Sequence, residues 1–226
     1  MKSNIFLHFI TGCFMFLVIG NLQAKPLSDD EAMIFADTKG KELIQTFQEE
    51  NLAKRYQILD KMIMEYIDIE HISRFVIGKY WRVMTQEQKK IYEETFVRYG
   101  LALYKTLPLE YAKNIEYKIM SANSDNNYTN VLANVKFSIS EEPMNVTVSF
   151  RLHKVADKIK IVDVKVAESS LLLSYRGKFY EMIAQYDDEI DWFLEDLLDQ
   201  TITMEKNLLQ NTKSQQKSLE IGNKTR

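Results

Sequence analysis

The period of the apolar residues changes twice along this chain, and no other feature restricts its fold as much. Before Pro108 apolar side chains recur at helical spacing, from Ile115 to Val166 they alternate, and from Leu172 helical spacing returns. In the first stretch, Ser28 with Glu31 and Thr85 with Gln88 form capping boxes, and Asp68 sits where it can cap a short helix. The helices they open carry Ala32, Met33, Ala36, Leu43, Ile44 and Phe47, then Ile69, Ile72 and Phe75 up to Gly78, then Ile91, Phe96, Tyr99, Ala102 and Leu103. A further helical pattern holds Leu52, Leu59, Met62, Ile63 and Tyr66.

The middle stretch reads as strands. Ile115, Tyr117 and Ile119 alternate, then Val131, Ala133, Val135, Phe137 and Ile139, then Met144, Val146, Val148, Phe150 and Leu152. Ser124 to Asn127, Glu141 to Pro143 and Ala156 to Lys158 supply the turns, and a fourth strand spans residues 159–166. Short turns between successive strands predict an antiparallel meander. The expected fold is therefore α+β: a four-stranded meander with helices packed on one face of the sheet. Residues 25–210 form the predicted domain, and residues 211–226, rich in Lys, Ser, Gln and Asn, read as a disordered tail.

The first 24 residues have the pattern of a cleavable signal peptide. Lys2 is the one charged side chain among them, Ile5 to Ile19 is predominantly apolar, and Ala24 is a small residue at a plausible cleavage position. Cys13 bisects the apolar run rather than ending it, which argues against a lipoprotein signal. It is also the single cysteine, so an exported chain starting near Lys25 has neither disulfides nor thiol chemistry and must fold on its core alone. The net charge of −3 becomes −4 without residues 1–24, a balance that disfavours nucleic acid and strong attraction to anionic membranes.

Catalytic signatures are absent from the sequence. His71 and His153 have no histidine three or four residues away, and no nucleophile elbow, phosphate loop or dinucleotide fingerprint occurs. Asp163 lies inside an apolar strand. It reads either as a buried general base or, without a companion acid or histidine, as a strand aspartate bonded to backbone or to an arginine such as Arg176. The aromatic residues read two ways as well, because a stripe of them fills a core or lines a cavity with the same periodicity.

Two stretches tip that balance. One reads Val76-Ile77-Gly78-Lys79-Tyr80-Trp81-Arg82, followed by the Thr85-Gln86-Glu87-Gln88 helix start and Phe96. The other reads Ile161-Val162-Asp163-Val164, then Ser170-Leu171-Leu172-Leu173-Ser174-Tyr175-Arg176-Gly177-Lys178-Phe179. Together they resemble the MlaC, or toluene-tolerance, family of periplasmic phospholipid-binding proteins. The family's Y-D-V tyrosine is Val162 here, its preceding tryptophan is Ile159, and its E-G pair is Ala167-Glu168. The resemblance implies a monomeric, non-enzymatic carrier without a cofactor, whose cargo is phospholipid. Its expected partners are an outer-membrane lipoprotein complex and an inner-membrane ABC transporter, and its role the upkeep of outer-membrane lipid asymmetry. It also implies an apolar cavity between helices and sheet. The expected lining is Phe75, Tyr80, Trp81, Phe96, Tyr99 and Leu103 from the first helices, Val135, Phe137, Val148 and Phe150 from the sheet, and Leu171, Tyr175 and Phe179 from the helix that follows.

Overall fold

The structure is a computed structural model that describes residues 27–106, 114–125, 127–139 and 142–224. The expected signal peptide lies outside them. Helices come first: α1 (Asp29–Phe47), α2 (Leu52–Tyr66), α3 (Ile69–Ile77), a 3₁₀ turn (Gly78–Arg82) and α4 (Gln86–Lys105). Strands β1 (Glu116–Asp125), β2 (Tyr128–Ile139), β3 (Glu142–Val155), β4 (Lys158–Val166) and β5 (Ser169–Ser170) follow, then α5 (Leu171–Ala184) and α6 (Ile190–Lys224). The expected caps form: Ser28, Asp68 and Thr85 accept from the amides of Glu31, His71 and Gln88, and the Gln88 side chain returns a bond to the Thr85 amide.

The sheet is antiparallel in the order β1-β2-β3-β4-β5, with five strands rather than the expected four. The added strand is two residues long, too short for alternation to reveal, and pairs Lys165 with Ser170 and Val166 with Ser169. Ala167, at φ 52°, makes the turn into it. This left-handed conformation costs a residue with a Cβ roughly 1 kcal/mol, so the turn persists without a glycine. Register aligns the alternating residues in rows across one face. Ala122, Val131, Phe150 and Val164 form one row, Ile119, Ala133, Val148 and Val166 the next, then Tyr117, Val135 and Val146, and finally Phe137 with Met144.

Two separate cores hold the molecule. In one, α1 packs on the sheet: Leu27, Ala32, Val131 and Leu152 are buried, with Phe35, Ile119 and Phe150 against them. Polar contacts fasten the same helix. Thr129 Oγ1 accepts from the Leu27 amide, Tyr117 donates to the Asp37 carbonyl, and Lys154 pairs with Glu31 at 2.8 Å. The other core is helical throughout, gathering Val76, Ile77, Tyr92, Tyr99, Phe179, Ile183, Phe193 and Leu197 from α3, α4, α5 and α6. Gly78 lets α3 close onto α5: at φ +53° it occupies the left-handed region, and a Cβ there would stand 2.1 Å from the Tyr180 hydroxyl.

β4 joins the two halves. Asp68 donates its amide to the Ile161 carbonyl, and Ile67 bridges to Ile161. A register shift between β3 and β4, after the Arg151–Asp163 pair, turns Asp163 toward the start of α5. Beyond Asn211, where a disordered tail was expected, α6 continues to Lys224. The segment is polar, but its Lys, Gln, Glu and Leu residues favour a helix.

Candidate functional site

The structure divides the thirteen expected lining residues between these two regions. Tyr80, Trp81, Phe96, Tyr99, Leu103, Tyr175 and Phe179 all belong to the helical core or pack against it. Phe179 sits at its centre with no exposure. Its ring stands 5.5 Å from Phe193, 5.8 Å from Tyr99, 6.0 Å from Phe96 and 6.4 Å from Tyr92, mostly edge to face. Tyr92 donates to the Ser73 carbonyl at 2.8 Å, and burial raises its phenol well above the ordinary range. Tyr99 accepts from Lys178 at 2.8 Å, and its ring lies 6.4 Å from Tyr175, whose phenol burial also raises. Tyr80 donates to Asp188. Trp81 lies at the margin, with Arg74 and Lys89 each 5.2 Å from its ring. Phe75 is half-buried under the Arg176 guanidinium, 4.8 Å away.

The sheet residues behave differently. Phe150 packs into the core beneath α1. Val135, Phe137 and Val148, together with Val146, which the lining set omitted, are half-buried and belong to neither core. Register makes them one continuous apolar strip on the face that α1 partly covers. Met144 and Val166 flank the strip at 41% and 42% exposure, and Leu171 begins α5 at 43%. Two depressions formed by described residues lie elsewhere. One of about 570 Å³, between the end of α1 and α2, is lined mainly by polar groups such as Glu42, Gln45 and Glu49; one of about 300 Å³ lies on β1 and β2 beside Tyr117 and Lys136. Neither includes any of the thirteen residues.

Asp163 is explained by its bonds. One carboxylate oxygen accepts from Ser170 Oγ at 2.7 Å and the other from the Leu172 amide at 3.1 Å, while Ser170 Oγ accepts from the Leu173 amide. Aspartate and serine thus cap α5 together and fasten it to β4. Arg176, expected as a partner, instead donates to the Phe75 carbonyl and the Tyr180 hydroxyl.

Sequence reasoning missed a polar cluster at the other joint. His153 is 4% exposed, and its Nε2 lies 2.7 Å from Asp68 Oδ2. Its ring stacks on Tyr128 at 5.7 Å and meets His71 edge-on at 5.8 Å. The Arg151 guanidinium covers Tyr128 at 4.2 Å. The capping signal at Asp68 was visible in sequence, but a partner 85 residues away was not. No group of metal-ligating side chains occurs among the described residues.

A family model described as MlaC protein matches residues 38–199. Among solved structures, the chain is similar to the phospholipid-binding protein from Ralstonia solanacearum in complex with a phospholipid. The identity is 18% and the TM-score 0.62, covering 78% of this chain and 99% of that one, a likeness of fold. No curated protein matches. The family match runs from within α1 into α6 and takes in the sheet, its apolar strip and both joints on β4: the chain belongs to the MlaC family.

Proposed function

We propose that this protein is a phospholipid carrier of the periplasm, exported by residues 1–24, that takes lipid from an outer-membrane lipoprotein complex and delivers it to an inner-membrane ABC transporter. This traffic would maintain outer-membrane lipid asymmetry. The apolar strip carries the reading. Val135, Phe137, Val146 and Val148 face the side of the sheet where α1 packs, yet neither core absorbs them. An acyl chain laid along that strip would complete their burial.

The energetics demand such a surface. Each methylene withdrawn from water is worth about 0.8 kcal/mol, so exposing two acyl chains costs of order 20 kcal/mol and free diffusion of lipid is negligible. The Ralstonia protein has the same fold and holds a phospholipid. A carrier needs no reacting group, and the one carboxylate in an apolar strand is occupied in capping α5. The headgroup can remain in solvent. The thirteen expected residues serve this reading in two roles: the helical group as a rigid wall, the sheet group as the surface that meets the acyl chains.

Organic extraction of the purified protein followed by lipid mass spectrometry tests the proposal. Stoichiometric glycerophospholipid is the expected result. A protein that carries none, and takes up none from phospholipid vesicles, overturns it.

A further inference from the structure

The joint between α3 and the sheet holds a cluster of groups that packing alone does not require. Asp68 caps α3 through the His71 amide and also takes the Nε2–H of buried His153. His153 Nδ1 is buried with no hydrogen-bond partner, and neighbouring Arg151 Nε is a buried donor with none. Every facing element contributes a titratable or charged group. These are His71 from α3, Asp125 from β1 (3.5 Å from Arg151), Tyr128 from β2, Arg151 from β3, and Lys160 and Asp163 from β4, in register with His153 and Arg151. Lys160 is drawn off to the Glu65 carbonyl and Asp163 to Ser170, so the one carboxylate bonded to His153 is that of Asp68.

We infer that Asp68, His71 and His153, with Arg151 beside them, form an acid-sensitive latch that fastens α3 to the sheet and sets how firmly cargo is held; the inference rests on the carrier reading. Near neutral pH the Asp68 carboxylate is bonded to His153, and Arg151 pairs with Asp125 at 3.5 Å. In acid a charged His71 would stand 5.8 Å from the His153 ring, in a joint where His153 Nδ1 and Arg151 Nε already lack hydrogen-bond partners. A further cation would then face Arg151 in a joint whose two carboxylates, Asp68 and Asp125, are already engaged, and opening the joint relieves the repulsion.

The direction of titration agrees. Burial holds His71 below the ordinary histidine value, against the pull of the Asp68 carboxylate and with help from Arg151. Burial pushes the Asp68 carboxyl upward, but the bonds from His153 and from the His71 amide outweigh it and leave that group below its usual value. Both groups are depressed in the fold, so the stability they contribute is complete above about pH 6.5 and falls as the pH drops through their folded values. Acid weakens this joint; alkali does not.

Transfer of a fluorescent phospholipid from the loaded protein to phosphatidylcholine vesicles, at about pH 7.5 and about pH 5.5, tests the latch. Wild type should transfer roughly threefold or more faster in acid, and H71Q should lose most of that acceleration. Equal wild-type rates at both pH values, or an H71Q response equal to wild type, overturn it. Amide exchange, corrected for its intrinsic pH dependence, reads the latch without lipid. The amides of Asp68 and Ile72, bonded to Ile161 and Asp68 carbonyls, should lose protection in acid in wild type and keep it in H71Q. A wild type without cargo but with this loss refutes the carrier reading and supports the latch. Unchanged protection overturns the latch, whatever the protein carries.

Discussion

Phe179 and Phe137 have the same side chain and each follows a lysine, yet they occupy opposite environments. Phe179 has no exposure and four aromatic rings around it. Phe137 is half-buried on a strip that joins neither core. The helical half has the packing of a finished core. The sheet half is finished only under α1 and remains open from Val148 to Phe137. A carrier benefits from this division, because the rigid half keeps the fold whether or not the open half is occupied.

The sharpest way to break the comparison is to truncate one residue on each side. Phe179→Ala removes the ring at the centre of the helical core, and the rings around it are too constrained to collapse into the gap. A loss of about 3–5 kcal/mol is expected in urea unfolding. Val148→Ala, in the strip, should cost less than about 1 kcal/mol in the lipid-free protein, because its side chain is already partly unpacked. Equal losses at the two sites, after scaling for size, would show the strip to be ordinary core.

Asp163 tests the joint between the halves. Asp163→Ala leaves the Ser170 hydroxyl and the Leu172 amide without their acceptor at a buried helix start. It should destabilise by roughly 1–3 kcal/mol, whereas Asp163→Asn, which keeps an acceptor oxygen, should lose less. Lipid binding should survive in Asp163→Asn. Equal damage from both variants would point to the charge rather than the cap, and would reopen the reading of Asp163 as a base.

The sequence disclosed what depends on local period and little of what depends on distant partners. Alternation from Val131 to Leu152 foretold β2, β3 and their register, because a one-residue slip would turn every apolar side chain to the wrong face. Ser28, Asp68 and Thr85 announced their helices through chemistry confined to four residues. Neither the two-residue β5, nor the Asp163–Ser170 cap, nor the meeting of His153 with Asp68 leaves such a local trace. The lining set treats all aromatics alike. Hollow and filled interiors share one period, and only packing separates Phe179 from Phe137.

Val148→Trp sharpens the comparison from the open side. In a packed core a bulkier residue costs roughly 1–3 kcal/mol through strain. On the strip it should cost less than about 1 kcal/mol and instead displace an acyl chain, lowering the lipid recovered by extraction while the melting curve stays near wild type. A variant that melts far lower, from a wild type that never held lipid, removes the distinction between the halves.

The smallest effect should come from cutting the chain before Asn211. Leu209, just ahead of the cut, is already 60% exposed, and Thr212 Oγ1 bonds to the Leu208 carbonyl within its own helix. Among the described residues the buried positions of α6 end at Leu197 and Thr201, and the ion pair of Arg98 with Glu205 at 2.7 Å precedes the cut as well. Among the described side chains beyond the cut, Asn211 to Ser214, none belongs to either core. The change in stability should stay within about 0.5 kcal/mol, and lipid recovery should be unaltered. A melting point lowered by many degrees would mean that the distal helix docks on the body, and the strip from Val148 to Phe137 would be the first place to look for it.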